Sequence, residues 1–309
     1  MMAPKNMPAP KAPAREGDEM AILVTGSTEV MVQGITGTAA RTYTKLMLEY
    51  GTKVVGGISP GKGGEEVHGI PVYDTVRECQ EQHPDVKATA LWVPVKHARD
   101  AVMEAVDAGI RVIVLTTQGV PVQDILYTRR RAWEKGLILL GGNTLGIISP
   151  GRSLLGMLPK VAFRQGNIGI VSRSGIITYY ISNTLDLAGM GASTNVVLGG
   201  DIFLGCGYED ILRHFDEDPD THAVVLAGQP GGAHEETAVG FVKNMKKPVV
   251  AFMAGTTLPE AEWLSPPTPP VMSASPTGAA KARAFRDAGI HVAESLMDIP
   301  RLLKKSLRK

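Results

Sequence analysis

The amino-acid sequence predicts an α/β protein with two successive domains, each built on a doubly wound parallel sheet. Short apolar segments alternate with helical segments along the chain, which favours right-handed βαβ crossovers. The apolar segments show little polar alternation, as is typical of parallel strands covered on both faces. A length of 309 residues with 44% hydrophobic residues suffices for two buried cores.

The predicted elements fall into two series. The first series has strands at 21–24, 53–58, 88–94, 111–117 and 137–142. The second has strands at 167–172, 195–199, 223–228, 248–254 and 290–293. The helical segments between them are 39–50, 98–108, 123–135, 175–187, 235–245 and 279–288.

The boundary between the two series is predicted near residues 149–165. This stretch is rich in glycine and proline, and the alternation restarts after it. We therefore expect one domain over 20–150 and a second over 160–309. Residues 1–19 are rich in Pro, Ala and Lys and lack the apolar core of a signal peptide, so they are expected to form a disordered tail.

Composition excludes several classes of function. The 32 basic and 31 acidic residues give a net charge of +1, which argues against a general nucleic-acid binder. The 2 cysteines lie far apart in the sequence, so neither a disulfide framework nor a Cys-rich metal site is expected. We predict a cytoplasmic protein with no metal of its own, and no apolar run is long enough to span a bilayer.

Four glycine-containing turns, the first after an apolar run and the others at the ends of predicted strands, are candidates for binding a phosphorylated ligand. They are GITG at 34–37, SPGKGG at 59–64, TTQGVP at 116–121 and SRSG at 172–175. Glycine lets the backbone approach a phosphate, and a following helix offers free N–H groups. Ligands of open α/β sheets bind where strands end, so the first three turns together predict a nucleotide-like ligand.

Each turn alone is ambiguous. The first is not a full G-x-G-x-x-G fingerprint, and the second lacks P-loop spacing, so a structural turn and a solvated lysine also explain them. The fourth lacks the G-x-S-x-G pattern of a nucleophile elbow and is equally typical of an ordinary serine cap.

The order of these motifs resembles that of the α subunits of succinyl-CoA synthetase and related ADP- or GDP-forming acid–CoA ligases. The related enzymes include the corresponding parts of citryl-CoA synthetase and ATP-citrate lyase. The resemblance runs from about Ala21 to the C-terminus and is carried by residues 49–64, 141–151, 169–175 and 199–201. It implies an N-terminal Rossmann-type domain that binds coenzyme A (CoA), followed by a flavodoxin-like ligase domain. It also implies a hetero-oligomer with an ATP-grasp β-type subunit, which carries ATP or GTP with Mg²⁺, and a small carboxylate substrate.

The resemblance also implies roles for individual residues. The expected CoA-binding residues are Gly34, Thr36, Gly37, Thr38, Ala39 and Lys62, with Thr116, Thr117 and Gln118 beside them. Ser172, Ser174 and Gly175 are expected to cradle a phosphoryl group, and Tyr179 to lie near the carboxylate substrate.

The sequence departs from this family at its relay histidine. A gap-free count from Gly255 to Gly278 places Pro266 where the family has the phosphorylated histidine, and residues 258–277 contain six prolines and no histidine. Proline in a peptide bond has no nucleophilic nitrogen. Gln229 stands where a family glutamate orients the phosphohistidine, so the charge that stabilises an imidazolium is lost.

The sequence therefore predicts a lost histidine relay. Among the 7 histidines, His234 is the best-placed substitute, but its position at a helix start favours a surface or capping role. The proline-rich segment 258–277 cannot be a helix or central strand and is expected to form a long loop that is functional or disordered.

Three hypotheses stay open. In the first, the chain is a divergent CoA ligase subunit, and CoA attacks an acyl phosphate directly. In the second, a carbamoyl or other acyl phosphate is passed to an acceptor other than CoA, as the changed run at 38–41 suggests. In the third, the chain is a non-catalytic CoA-binding or scaffolding subunit whose proline-rich loop binds a partner.

Overall fold

The computed structural model describes residues 21–257 and 277–308, which contain two seven-stranded sheets. The first sheet consists of β1 (Glu29–Gln33), β2 (Val54–Ile58), β3 (Glu66–Val67), β4 (Ile70–Tyr73), β5 (Val86–Leu91), β6 (Val112–Leu115) and β7 (Ile138–Leu140). Its strand order is β3-β4-β2-β1-β5-β6-β7, and all pairs except β3–β4 are parallel.

The second sheet begins with an antiparallel hairpin. It consists of β8 (Gly146–Ser149), β9 (Ser153–Gly156), β10 (Gln165–Ser172), β11 (Ala192–Val197), β12 (Ala223–Gly228), β13 (Val249–Met253) and β14 (His291–Ala293), in the order β14-β13-β12-β10-β11-β8-β9. The strands from β10 to β14 are parallel, and β8 runs antiparallel to β11.

Helices cover the faces of both sheets. Those of the first half are α1 (Thr38–Tyr50), α2 (Val76–Gln82), α3 (Val95–Asp107) and α4 (Val122–Glu134). Those of the second half are α5 (Gly175–Leu187), α6 (Tyr208–Glu217), α7 (His234–Val242), α8 (Gly278–Asp287) and α9 (Ile299–Ser306). Every residue of β6 and of β12 is buried, which explains why these strands show no polar alternation. The expected two-part α/β fold is confirmed.

The two sheets share a continuous apolar core around the hairpin. Helix α1 packs on β9, and one buried cluster includes apolar residues of both sheets. Polar contacts also cross this junction: Thr52 Oγ1 donates to the carbonyl of Leu154 over 2.7 Å, and the N–H of Gly156 lies 3.4 Å from Sδ of Met47. The division predicted at residue 150 stays a prediction, and strand pairing places the β8–β9 hairpin with the second sheet.

One predicted strand is wrong. Residues 21–24 form bends, whereas the first strand is Glu29–Gln33. Leu23 adopts a positive φ of 67°, which extended strand geometry does not allow. The predicted tail 1–19 and nearly all of the proline-rich loop lie outside the described residues.

Candidate functional site

The turn between β1 and α1 presents an open helix start. Gly34 has φ +79°, and a Cβ there would lie 2.4 Å from the carbonyl oxygen of Trp92, so only glycine fits this position. The hydroxyls of Thr36 and Ser59 lie 3.0 Å apart, which ties this turn to the end of β2. Gly37 is the N-cap of α1 without a side-chain cap, and the first turn of the helix contains no acidic residue.

This helix start fits a phosphate group. Gly37, Thr38 and Ala39 are exposed, and the N–H groups of a helix N-terminus carry partial positive charge. The guanidinium of Arg41 donates to the carbonyl of Thr36 over 3.0 Å and adds positive charge beside the turn. The cradle has no side chain at its centre because residue 37 is glycine.

Lys62 lies on the neighbouring turn after β2. Asp74, which follows β4, accepts the N–H groups of Lys62 and Gly63 at 2.9 Å each through Oδ1. These bonds, with that of Gly63 the strongest cause, lower the pKa of Asp74. The lysine side chain is half exposed, with Nζ 3.6 Å from Glu65. The backbone is therefore fixed while the ammonium group can reach a ligand.

The loop after β6 uses its threonines for structure. Thr116 Oγ1 donates to the carbonyl of Leu91 over 2.6 Å, and Thr117 Oγ1 donates to the carbonyl of Val93 over 2.7 Å. Gln118 is exposed at the tip. Of these three expected CoA-binding residues, Gln118 has the most freely placed side chain.

These three turns lie along one edge of the first sheet. They follow β1, β2 and β6, and β1 lies between β2 and β5 in the sheet. Strand order reverses between β1 and β5, and open α/β sheets bind ligands in a crevice outside the carboxyl ends of the strands at such a point. Trp92, just past β5, stacks on Tyr43 of α1 with ring centroids 5.9 Å apart and so connects the end of β5 to this helix.

The predicted phosphate cradle lies at the corresponding edge of the second sheet, where β10 leads into α5. Ser172 Oγ accepts the N–H of Ser174 at 3.0 Å, and Ser174 Oγ accepts the N–H of Ile177 at 3.3 Å. A Cβ on Gly175 would lie 2.0 Å from Leu145. The glycine therefore lets the helix start pack against Leu145.

A buried charged cluster, which sequence reasoning missed, supports this edge. It consists of Arg173, Glu235 and Lys281, with exposures of 2%, 0% and 0%. Lys281 is paired with Glu235 and donates to the carbonyl of Gly232 over 2.8 Å, while Arg173 donates to the carbonyl of Gly231 over 2.6 Å. The cluster therefore fixes the glycine turn that follows β12.

Gln229 and His234 flank that turn. The N–H of Gln229 donates to Glu235 over 3.2 Å. His234 begins α7 as expected, but its ring is partly buried, with Nε2 2.7 Å from the carbonyl of Ile202. Burial is the largest cause of a lowered pKa for His234, which disfavours the charged form of the ring. Ala233 is the N-cap of α7 and receives no side-chain cap, so His234 does not cap the helix, and its ring is only partly exposed. Pro266 lies outside the described residues.

Tyr179 lies on α5, one turn beyond its start. Its ring is partly buried and stacks on Tyr180 with centroids 4.5 Å apart. A hydrogen bond with Tyr180 is the largest cause of its raised pKa. Tyr179 thus belongs to the same helix whose start forms the predicted phosphate cradle.

Residues 21–257 and 277–308 contain neither a cluster of possible metal ligands nor a helix that could span a membrane. They contain no group of three or more His, Cys, Asp and Glu side chains arranged to hold a metal ion. None of their helices combines the length and apolar character needed to cross a membrane.

Comparison with known proteins assigns families to both halves of the chain. The CoA binding domain family matches residues 25–119, and the succinyl-CoA ligase like flavodoxin domain family matches residues 165–304. The chain is 47% identical over 289 residues to succinate–CoA ligase (ADP-forming) subunit alpha 1 of Archaeoglobus fulgidus, covering 94% of this chain and 99% of that protein. It is 39% identical over 279 residues to malate–CoA ligase subunit alpha of Methylorubrum extorquens, covering 89% and 94%.

A solved structure shares the fold. The structure of ATP citrate lyase from Methanothrix soehngenii in complex with citrate and coenzyme A aligns with a TM-score of 0.79 at 22% identity, over 93% of this chain. The present chain spans 50% of the length of that lyase chain.

Proposed function

The chain belongs to the family of succinate–CoA ligase α subunits, and from this we propose that it is the CoA-binding subunit of an acid–CoA ligase. The crevice at the carboxyl ends of β1 and β2 carries the proposal. Two observations support it: the start of α1 at Gly37 has no side-chain cap, and the side chain of Lys62 is half exposed. The residues proposed to hold CoA are those expected from the sequence: Gly34, Thr36, Gly37, Thr38, Ala39 and Lys62, with Thr116, Thr117 and Gln118.

We propose a reaction without a phosphohistidine on this chain. An acyl phosphate formed with the partner is attacked by the CoA thiol, so a C–S bond replaces the C–O bond to phosphate. Inorganic phosphate leaves, and the thiol proton passes to solvent. The absence of histidine from residues 258–277 supports this route. Ser172, Ser174 and Gly175 at the start of α5 would hold the phosphoryl group.

The nucleotide and the acid define the rest of the proposed assembly. ATP or GTP with Mg²⁺ is assigned to an ATP-grasp β-type partner, which makes the working enzyme a hetero-oligomer. The names of the relatives, succinate–CoA and malate–CoA ligase, support a small dicarboxylate substrate, with Tyr179 near it. We place the enzyme in the cytoplasm, where the free, buried Cys79 and Cys206 stay reduced.

Reconstitution tests this proposal. The purified chain is mixed with its ATP-grasp partner, Mg²⁺, ATP or GTP, CoA and a panel of carboxylates, and thioester formation is followed by its ultraviolet absorbance. We expect a thioester with a small dicarboxylate. CoA binding without turnover on any acid would favour the non-catalytic subunit, and acyl transfer without CoA binding would favour a different acceptor.

A further inference from the structure

A residue of the second sheet holds the loop that follows β6 of the first. Asp201, in the loop after β11, accepts the N–H of Gly119 at 3.0 Å through Oδ2. Gly119 has φ +73°, so the loop turns sharply at the bonded residue. A Cβ on Gly142 would lie 2.9 Å from the same Oδ2. The carboxylate of Asp201 therefore packs closely against the backbone of Gly142.

The backbone of Asp201 is held by the buried Arg173, which lies within the predicted phosphate-binding turn 172–175. Arg173 Nη2 donates to the carbonyl of Asp201 over 3.1 Å, while Nη1 donates to the carbonyl of Gly231 over 2.6 Å. Nη1 also lies 3.8 Å from Glu235. With 2% exposure, the guanidinium cannot leave this position without losing several buried bonds.

Backbone hydrogen bonds reinforce the same junction. The N–H of Asn143 donates to the carbonyl of Thr117 over 2.9 Å, and the N–H of Gly200 donates to the carbonyl of Asn143 over 3.0 Å. The loop after β6 is therefore attached to the second sheet both directly through Asp201 and through the connecting segment.

We propose that Asp201 is a positioning residue that sets the CoA-side loop at 116–119 relative to the phosphoryl-side turn at Gly231. The path from Gly119 through Asp201 and Arg173 to Gly231 consists of three hydrogen bonds. The part of this inference that concerns CoA affinity rests on the proposed function. The part that concerns loop position does not.

Hydrogen exchange tests the loop position. The segment 116–120 is followed by mass spectrometry in wild type, Asp201→Ala, Asp201→Asn and Asp186→Ala. Asp186 is an exposed carboxylate on α5 that accepts a bond from Arg164, so its variant is the matched control. We expect exchange about tenfold faster in Asp201→Ala, because one charged acceptor is lost. Asp201→Asn, which keeps an acceptor oxygen, should stay within about threefold of wild type.

Calorimetric titration with CoA tests the link to binding. We expect CoA to bind Asp201→Ala roughly fivefold to tenfold more weakly than wild type, with Asp201→Asn and Asp186→Ala close to wild type. Unchanged exchange or unchanged CoA affinity in Asp201→Ala would overturn the inference, as would an equal loss in Asp201→Asn. Wild type that binds no CoA would contradict the proposed function instead, and the exchange measurement would still decide whether Asp201 holds the loop.

Discussion

Replacing Lys62 tests whether the turn at 59–64 binds a ligand or serves only as a structural turn. Its backbone is fixed by Asp74 and its ammonium is half exposed, so replacing it should change binding more than folding. We predict that Lys62→Ala weakens CoA binding by roughly fivefold to tenfold, the value of one charge-assisted contact to phosphate. Calorimetry at fixed ionic strength measures this.

Lys45→Ala is the control for that prediction. Lys45 lies on α1 in the same half of the chain and is 64% exposed. Its removal changes the net charge equally and should leave CoA affinity within about twofold. Equal weakening by both variants would mean that general electrostatics, and not a contact from Lys62, attracts the ligand.

Lys281 is expected to stabilise the fold because it is buried and ion-paired. It is 0% exposed and pairs with Glu235 and, over 3.4 Å, with Glu236. Removing one partner of a buried ion pair leaves an uncompensated charge, so Lys281→Met should lower the free energy of unfolding by about 3–5 kcal/mol. Urea denaturation measures the loss, and Lys304→Met at an exposed site should change stability by less than about 0.5 kcal/mol.

A double variant separates charge from packing in this cluster. If the loss in Lys281→Met comes from the unpaired carboxylate, adding Glu235→Gln should recover part of the stability. A single-variant loss below about 1 kcal/mol would show that the cluster does not support the turn after β12.

At the scale of elements, the turn between β1 and α1 requires glycine at position 34 both for its positive φ and for its close approach to Trp92. Gly34 and Gly61 share nearly the same φ, +79° and +77°, but a Cβ would meet the carbonyl of Trp92 only at Gly34. We predict that Gly61→Ala costs about 1 kcal/mol, from backbone conformation alone. Gly34→Ala should cost about 2–3 kcal/mol, since the clash is added.

Thermal and urea unfolding of the two variants measure that difference. Because the backbone angle is matched, the extra loss in Gly34→Ala reports the close approach of the turn between β1 and α1 to the carbonyl of Trp92. Equal losses in the two variants would contradict the crevice geometry described for this edge.

Most strands and helices could be predicted because their apolar runs are long and bounded by turns. The helix Gly175–Leu187 and the strand Ala223–Gly228 match their predicted bounds. The strand at 21–24 was predicted from an equally apolar run, yet Glu29–Gln33 forms the strand. EVMVQ begins and ends with polar residues, so its burial depends on neighbours that local sequence does not specify.

The candidate site could be predicted only in part. Turns such as 34–37 and 172–175 are local, and the sequence located them. The contacts of Arg173 with Asp201 and Gly231 join residues 28 and 58 positions apart, so no local pattern could reveal them. Arg173 lies inside a turn that the sequence singled out, and a charged residue there was the available signal.

At the scale of the whole molecule, the two sheets form one structure, and each carries a proposed ligand site at the carboxyl ends of its strands. A shared core around the β8–β9 hairpin and the bonds at Asp201 connect them. This arrangement suits a reaction in which a thiol carrier on one edge meets an acyl phosphate on the other. Residues 258–277 contain no histidine, and on this ground we propose that the thioester forms without phosphorylation of this subunit.

One quenched reaction tests that claim most directly. The chain, its ATP-grasp partner, γ-³²P-labelled nucleotide, Mg²⁺, CoA and the acid are mixed and stopped under alkaline denaturing conditions, which preserve phosphohistidine. Thioester and protein-bound label are measured in the same samples. We predict that acyl-CoA accumulates while this chain stays unlabelled. Label on a histidine of this chain, His234 above all, at a rate that matches thioester formation would contradict the account.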